Sequence, residues 1–161
     1  MGGPTQPVDE HICTTCTQDS VDYFNAGLYC SEALLKAFDQ HYDLGLTPEF
    51  RKIATSFGAG IGAAQCCCGC LTGGVMVISL IAGRSTPEQS ETPAFEAAAA
   101  LHTAFKKEYR SACCRVLTKD LEWGSPEHYA QCQRFVGGMA SMVQTILREQ
   151  LGVEPTHVCA E

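Results

Sequence analysis

The sequence lacks most of the marks by which common functions are recognised. No apolar run is long enough to cross a bilayer. The longest, Leu71 to Gly83, falls short of the roughly 20 residues a membrane helix needs, and it fits a buried helix. Met1 to Glu10 carries neither a basic n-region nor an apolar h-region, so no signal peptide is expected and the protein is expected in the cytoplasm. Positive charge is also scarce. The formal charge is −7, which disfavours nucleic acid as the main partner because phosphate binding needs a basic face. Strand-like alternation is weak, and no internal repeat is present. There is no Cys-x-x-Cys-His, so covalent c-type haem is not expected. Gly58-x-Gly60-x-x-Ala63 superficially resembles a dinucleotide loop, but that motif needs a strand before it and the residues from Pro48 to Phe57 read as helix.

What is present is cysteine. The 161 residues include eleven: Cys13, Cys16, Cys30, Cys66, Cys67, Cys68, Cys70, Cys113, Cys114, Cys132 and Cys159. An odd number cannot all pair within one chain. Disulfide frameworks suit small secreted domains without a core. This chain is 45% apolar and only 18% charged, enough to fill a core. Clustered thiols in a reducing compartment point instead to metal binding or redox chemistry. A single buried cysteine is usually a small apolar residue, which suffices for Cys159. It does not explain Cys66-Cys67-Cys68-Gly69-Cys70.

Helix signals recur along the chain. Four Ser/Thr-Pro pairs, Thr47-Pro48, Thr86-Pro87, Thr92-Pro93 and Ser125-Pro126, each offer an N-cap hydroxyl followed by proline at the first helical position. The pattern predicts helices over about Asp19 to Tyr42, after Thr47, over Leu71 to Ala82, over Pro93 to Tyr109, and over Pro126 to Gln150. In the last, Cys132, Val136, Met139, Val143 and Ile146 follow the spacing of one buried face. The expected fold is an all-α, single-domain bundle of about five helices over residues 18–152. Residues 1–17 and 153–161 are expected as loosely held tails. His41, His102 and His128 are isolated and read as surface or satisfied polar groups, Met139 and Met142 as core, and Trp123 as a packing lid.

The run from Cys66 to Gly74 lies just before a predicted helix, where free backbone N–H groups stabilise a thiolate or an anionic cluster. Glycines at 58, 60, 62 and 69 would let the backbone approach a bulky inorganic core. Adjacent cysteines point in different directions, so only one or two of Cys66, Cys67, Cys68 and Cys70 are expected at a main site. The others are left as added ligands, ligands of a second cluster, or structural groups. Lys106, Lys107 and Arg110 precede Cys113-Cys114 and either lower those thiol pKa values or form a plain solvated face. Cys30, Cys68, Cys114 and Cys132 fall on four separate elements, as in sites assembled inside helical bundles.

These residues carry a resemblance. Cys30-Ser31-Glu32-Ala33, Phe57-Gly58-Ala59-Gly60-Ile61-Gly62, Cys68-Gly69-Cys70-Leu71-Thr72-Gly73, Cys114-Arg115-Val116-Leu117 and Cys132-Gln133-Arg134-Phe135-Val136 resemble, in order, the C-GCAxxG-C-C family of redox-active proteins. The resemblance implies that Cys30, Cys68, Cys114 and Cys132 form the family's site. A related domain in the split-Soret cytochromes, which are dimeric, holds an iron–sulfur cluster. A cluster of unspecified nuclearity and a homodimer are therefore implied here. Cys70 stands where the motif usually has alanine, and Cys66, Cys67 and Cys113 are additional, so these are candidate further ligands.

The expected function is electron transfer, to a partner protein or a small molecule, or small-molecule reduction at a cysteine-ligated cluster. No particular enzymatic reaction follows from the residues. Two other readings remain: thiol–disulfide oxidoreduction through the Cys66–Cys70 segment, and binding or delivery of soft metals such as copper or zinc. A further zinc site is considered at Cys13 and Cys16, with His11, His157 and Cys159 as added donors, since Cys-x-x-Cys is half of such a site. A Cys13–Cys16 dithiol is the alternative there.

Overall fold

The computed structural model describes residues 13–156. Among them are seven α-helices and no strand longer than an isolated bridge. They are α1 (Thr14–Asn25), α2 (Cys30–Tyr42), α3 (Pro48–Arg51), α4 (Gly69–Ala82), α5 (Thr92–Tyr109), α6 (Cys114–Leu117) and α7 (Pro126–Leu151). A 3-10 helix, Lys52–Phe57, extends α3. The all-α expectation holds, but the count exceeds the five or so expected. The one-turn α6 is too short to show a periodic stripe.

The other source of the excess is a break in what reads as one first helix. α1 ends at Asn25 and α2 starts at Cys30, because Gly27 adopts φ +103°, a conformation that side-chain-bearing residues rarely take. The Glu32 carboxylate then accepts the Tyr29 backbone N–H at 2.9 Å and starts the new helix. This restart places Cys30 in the first turn of α2 rather than halfway along a longer helix.

The proline signals are met unevenly. Thr47 and Ser125 cap α3 and α7 through their hydroxyls, accepting the backbone N–H of the third helical residue, Phe50 and His128 respectively. Thr92 is itself the first residue of α5, and Thr86-Pro87 makes only a turn. α1 begins at Thr14, inside the stretch read as a tail, and Cys16 is fully buried.

The core forms where α2, α4, α5 and α7 meet, with α1 packed against α2 and α7. Leu34, Leu35, Phe38, Val77, Ile78, Leu101, Phe105, Met139, Val143 and Leu147 are almost wholly removed from water. Each such side chain contributes roughly 1.5–3 kcal/mol relative to exposure. The stripe on α7 is buried from Val136 to Ile146, as its spacing predicts. No helix among the described residues is long and apolar enough to cross a membrane.

Candidate thiol site

The segment between the 3-10 helix and α4 sets the site. Ala59 and Gly60 turn left-handed, at φ +52° and +71°, so residues 58–61 coil tightly rather than continue a helix. Gly60 packs so closely that a Cβ there would lie 2.7 Å from the Gln65 Cα and 2.9 Å from the Cys114 Cβ. The chain then runs extended through Cys66 and Cys67 and enters α4, with Cys68 at the N-cap. The Cys68 N–H donates to the Ala112 carbonyl at 2.8 Å, and the Cys114 N–H donates to the Cys66 carbonyl at 2.6 Å. These two bonds tie the cysteine run to the start of α6.

The folding of these segments produces a cavity of about 150 Å³. Its wall includes Cys30 from α2, Cys68 and Cys70 from the start of α4, Cys114 from α6 and Cys132 from α7. Phe24, Tyr29, Trp123, Tyr129 and Phe135 complete an apolar, aromatic surround. Cys30, Cys68, Cys114 and Cys132, far apart in sequence, thus open onto one space. Cys70 joins them. Cys66 is exposed, and Cys67 faces a separate apolar groove beside Leu35, Leu71 and His102. Cys113 is half-buried and lies outside the cavity wall.

The thiols differ electrically. A hydrogen bond from Cys70 lowers the Cys30 pKa to about 7, outweighing burial, and the backbone N–H groups of Ala59, Cys30 and Ser31 add to the effect. Cys70 is pushed well up by its own burial and by serving as donor to Cys30 and Cys68. Burial, then the neighbouring thiols, pushes Cys114 and Cys132 up to about 12. Lys106, Lys107 and Arg110 do not lower Cys114, contrary to one of the two readings of that basic stretch. Crowding of thiols makes simultaneous ionisation costly unless a cation is shared among them.

His128, which reads from sequence as an isolated polar residue, belongs to the cavity wall. Its Nδ1 accepts the Gly124 backbone N–H at 3.3 Å, so the neutral ring carries its proton on Nε2. Nε2 stands 3.7 Å from the Cys132 sulfur and donates to it. Desolvation lowers the His128 pKa, which favours this neutral form. The signal available in sequence was the i, i+4 spacing of His128 and Cys132 on one helix. Trp123 also lines the cavity, its ring centre 4.4 Å from that of His128.

Among the described residues, no three His, Cys, Asp or Glu side chains are gathered closely enough to hold one metal ion. The cavity thiols line one space, and within it Cys70 is hydrogen-bonded to both Cys30 and Cys68. The donor set is all soft sulfur, and Gly60 and Gly69 let the backbone pack so closely around it that a Cβ at either would clash with Cys114 or Cys30. An all-thiol donor set of this kind is chemically suited to soft, thiolate-ligated metal.

The N-terminal cysteines lie apart from this cavity. Cys13 is disulfide-bonded, and its sulfur is 4.0 Å from His41 Nδ1. Cys16 is a free, buried thiol whose pKa burial raises to about 12. Of the other donors considered for zinc there, His11, His157 and Cys159 lie outside the described residues.

Comparison with known proteins gives one match. The model of the family described as Putative redox-active protein (C_GCAxxG_C_C) matches residues 28–146, which contain every cysteine of the cavity. No curated protein and no solved structure shows a significant match.

Proposed function

The chain belongs to the C_GCAxxG_C_C family of redox-active proteins, and on that premise we propose that it holds an iron–sulfur cluster in the thiol-lined cavity and transfers electrons there. The observation that carries this reading is the convergence of Cys30, Cys68, Cys114 and Cys132 from four separate elements on one cavity. Such a cluster, when bound, supplies one-electron chemistry at a potential set by its surroundings. The protein's part is to hold and tune it. Cys30, whose pKa is lowered to about 7, is ready to serve as a thiolate. The first turns of α2 and α4 present backbone N–H groups to negative charge. His128 donates to Cys132, and Trp123, Tyr129 and Phe135 limit the access of water. Cys70 is placed either as a fifth ligand or as the donor that keeps Cys30 ionised.

Anaerobic purification followed by visible spectroscopy tests this reading. A brown protein with broad thiolate-to-iron absorption that bleaches on reduction is the expected outcome. A colourless protein with stoichiometric copper or zinc would favour the soft-metal reading. The proposal includes a homodimer, a cytoplasmic location and a redox partner that is a protein or a small molecule. Exposed Phe50, Ile53 and Leu80 lie beside the apolar groove and offer a face for a second copy. A monomeric mass by sedimentation would remove that part alone.

A further inference from the structure

Two cysteines outside the cavity face each other. Cys67 and Cys113 form an isolated antiparallel bridge. The flanking hydrogen bonds define its type. Cys68 N–H donates to Ala112 O, and Cys114 N–H donates to Cys66 O, so the ladder bonds bracket the pair and do not join it. Cys67 and Cys113 are therefore a non-hydrogen-bonded pair, the closer of the two antiparallel arrangements. Opposed residues there have Cα atoms about 4.5 Å apart and side chains on the same face. A disulfide needs Cα atoms roughly 4.4–6.8 Å apart. The Cys113 N–H points away from the partner strand and donates to the Ser111 hydroxyl at 3.0 Å. Its thiol has only a long contact, 3.6 Å, to the Gln65 carbonyl.

Both thiols are free and only half-buried, so burial does not account for them as core residues. Both are additional to the ordered cysteines of the family. Each immediately precedes a cavity cysteine, Cys68 or Cys114.

We propose that Cys67 and Cys113 are a redox-active dithiol that closes into a disulfide by exchange with a low-molecular-weight disulfide. One of the two, as thiolate, attacks a sulfur of the small disulfide. The small S–S bond breaks, a mixed disulfide forms, and the released thiolate takes up the proton the attacking thiol gave up. The second cysteine, as thiolate, then attacks the protein sulfur of the mixed disulfide. The Cys67–Cys113 bond forms, and the second small thiolate leaves and takes up the remaining proton. Two protein thiols are oxidised, one small disulfide is reduced to two thiols, and protons balance. The closed bond staples the strand carrying Cys68 to the one carrying Cys114, fixing two walls of the cavity. The exchange itself does not rest on the cavity holding a cluster.

Full-length protein incubated with mixtures of reduced and oxidised glutathione, alkylated and digested with trypsin tests this. Residues 53–84 and 111–115 are the tryptic peptides that carry Cys67 and Cys113. The expected result is that these two become joined as the oxidised fraction rises, with fragment ions placing the bond at Cys67 and Cys113. Joining is lost in Cys67→Ser and in Cys113→Ser and kept in Cys66→Ser. Absence of the joined peptide at every ratio overturns the proposal. So does its persistence in either single variant, or a bond placed at Cys66, Cys68 or Cys114. Fragment-ion placement in the wild-type protein decides the question even where a variant fails to fold. Iron analysis of the same samples separates the two readings, since iron-free protein leaves the joined peptide unaffected.

Discussion

Gly69 stands against Cys30 so closely that a Cβ at position 69 would lie 2.9 Å from the Cys30 sulfur. The helix α4 therefore enters the site with its backbone in contact with the thiol on α2. Replacing Gly69 with alanine has to displace either that sulfur or the Phe57 carbonyl, which would be 3.2 Å away. Overpacking of this kind costs about 1–3 kcal/mol. Gly69→Ala is expected to lower the unfolding free energy measured in urea by that amount and to reduce iron content below that of the wild type. A variant with unchanged iron would show that Cys30 need not sit where it does.

The acidity of Cys30 gives a pH dependence in the iron-free protein. Its folded pKa of about 7 lies below the ordinary value of 9.0. Stabilisation from a lowered acid is present above the ordinary value and is lost as pH falls through the folded one. Two pH units correspond to about 3 kcal/mol. Cys114 and Cys132 act in the opposite sense, since unfolded thiols ionise from pH 9.0 while these stay protonated to about 12. Stability in reductant should rise from pH 7 to 9 and fall above it. Cys30→Ser should remove the rise and keep the fall. Urea titrations across this range read both limbs.

The His128 contact predicts a shift in potential. A hydrogen bond to a ligand sulfur favours the reduced, more negative cluster. His128→Phe removes the donor to Cys132 while keeping an aromatic group beside Trp123. The reduction potential of the loaded protein should become more negative. An unchanged potential at full iron content would assign His128 to packing.

Gln144 anchors the N-terminal segment. Its side chain accepts the Cys13 N–H at 2.8 Å and donates to the Cys13 carbonyl at 3.3 Å and the Thr17 hydroxyl at 3.0 Å, all at a buried position. Gln144→Ala leaves the buried Cys13 backbone groups without these partners, at a cost of about 1–3 kcal/mol. Thermal unfolding should shift downward, and protease should cut sooner near α1. Iron content should stay as in the wild type, because this anchor lies away from the cavity.

The long helices α4, α5 and α7 were legible because each is marked by composition or period: an apolar run, an alanine run and a buried stripe. The break at Gly27 was not. Val21, Phe24, Leu28 and Leu35 keep a helical period across it, and only the backbone angle of one glycine interrupts the pattern. Within the site, Cys30, Cys68, Cys114 and Cys132 could be picked out by order and by the glycine motif around them. His128 was missed because its one sequence signal, the i, i+4 spacing to Cys132, is common on helices and gains meaning only once Gly124 is seen to fix its tautomer. The Cys67–Cys113 pair was equally hidden, since the register of two short strands 46 residues apart depends on the turn at Ala59 and Gly60.

Iron and acid-labile sulfide per chain, measured on anaerobically purified wild type, Cys68→Ala and Cys132→Ala, test the central claim most directly. The account predicts both elements in stoichiometric amount in the wild type. It predicts their loss in each variant, with a lower melting temperature because cluster binding contributes to folding. Wild-type protein lacking both iron and sulfide, or iron content unchanged in both variants, would contradict it.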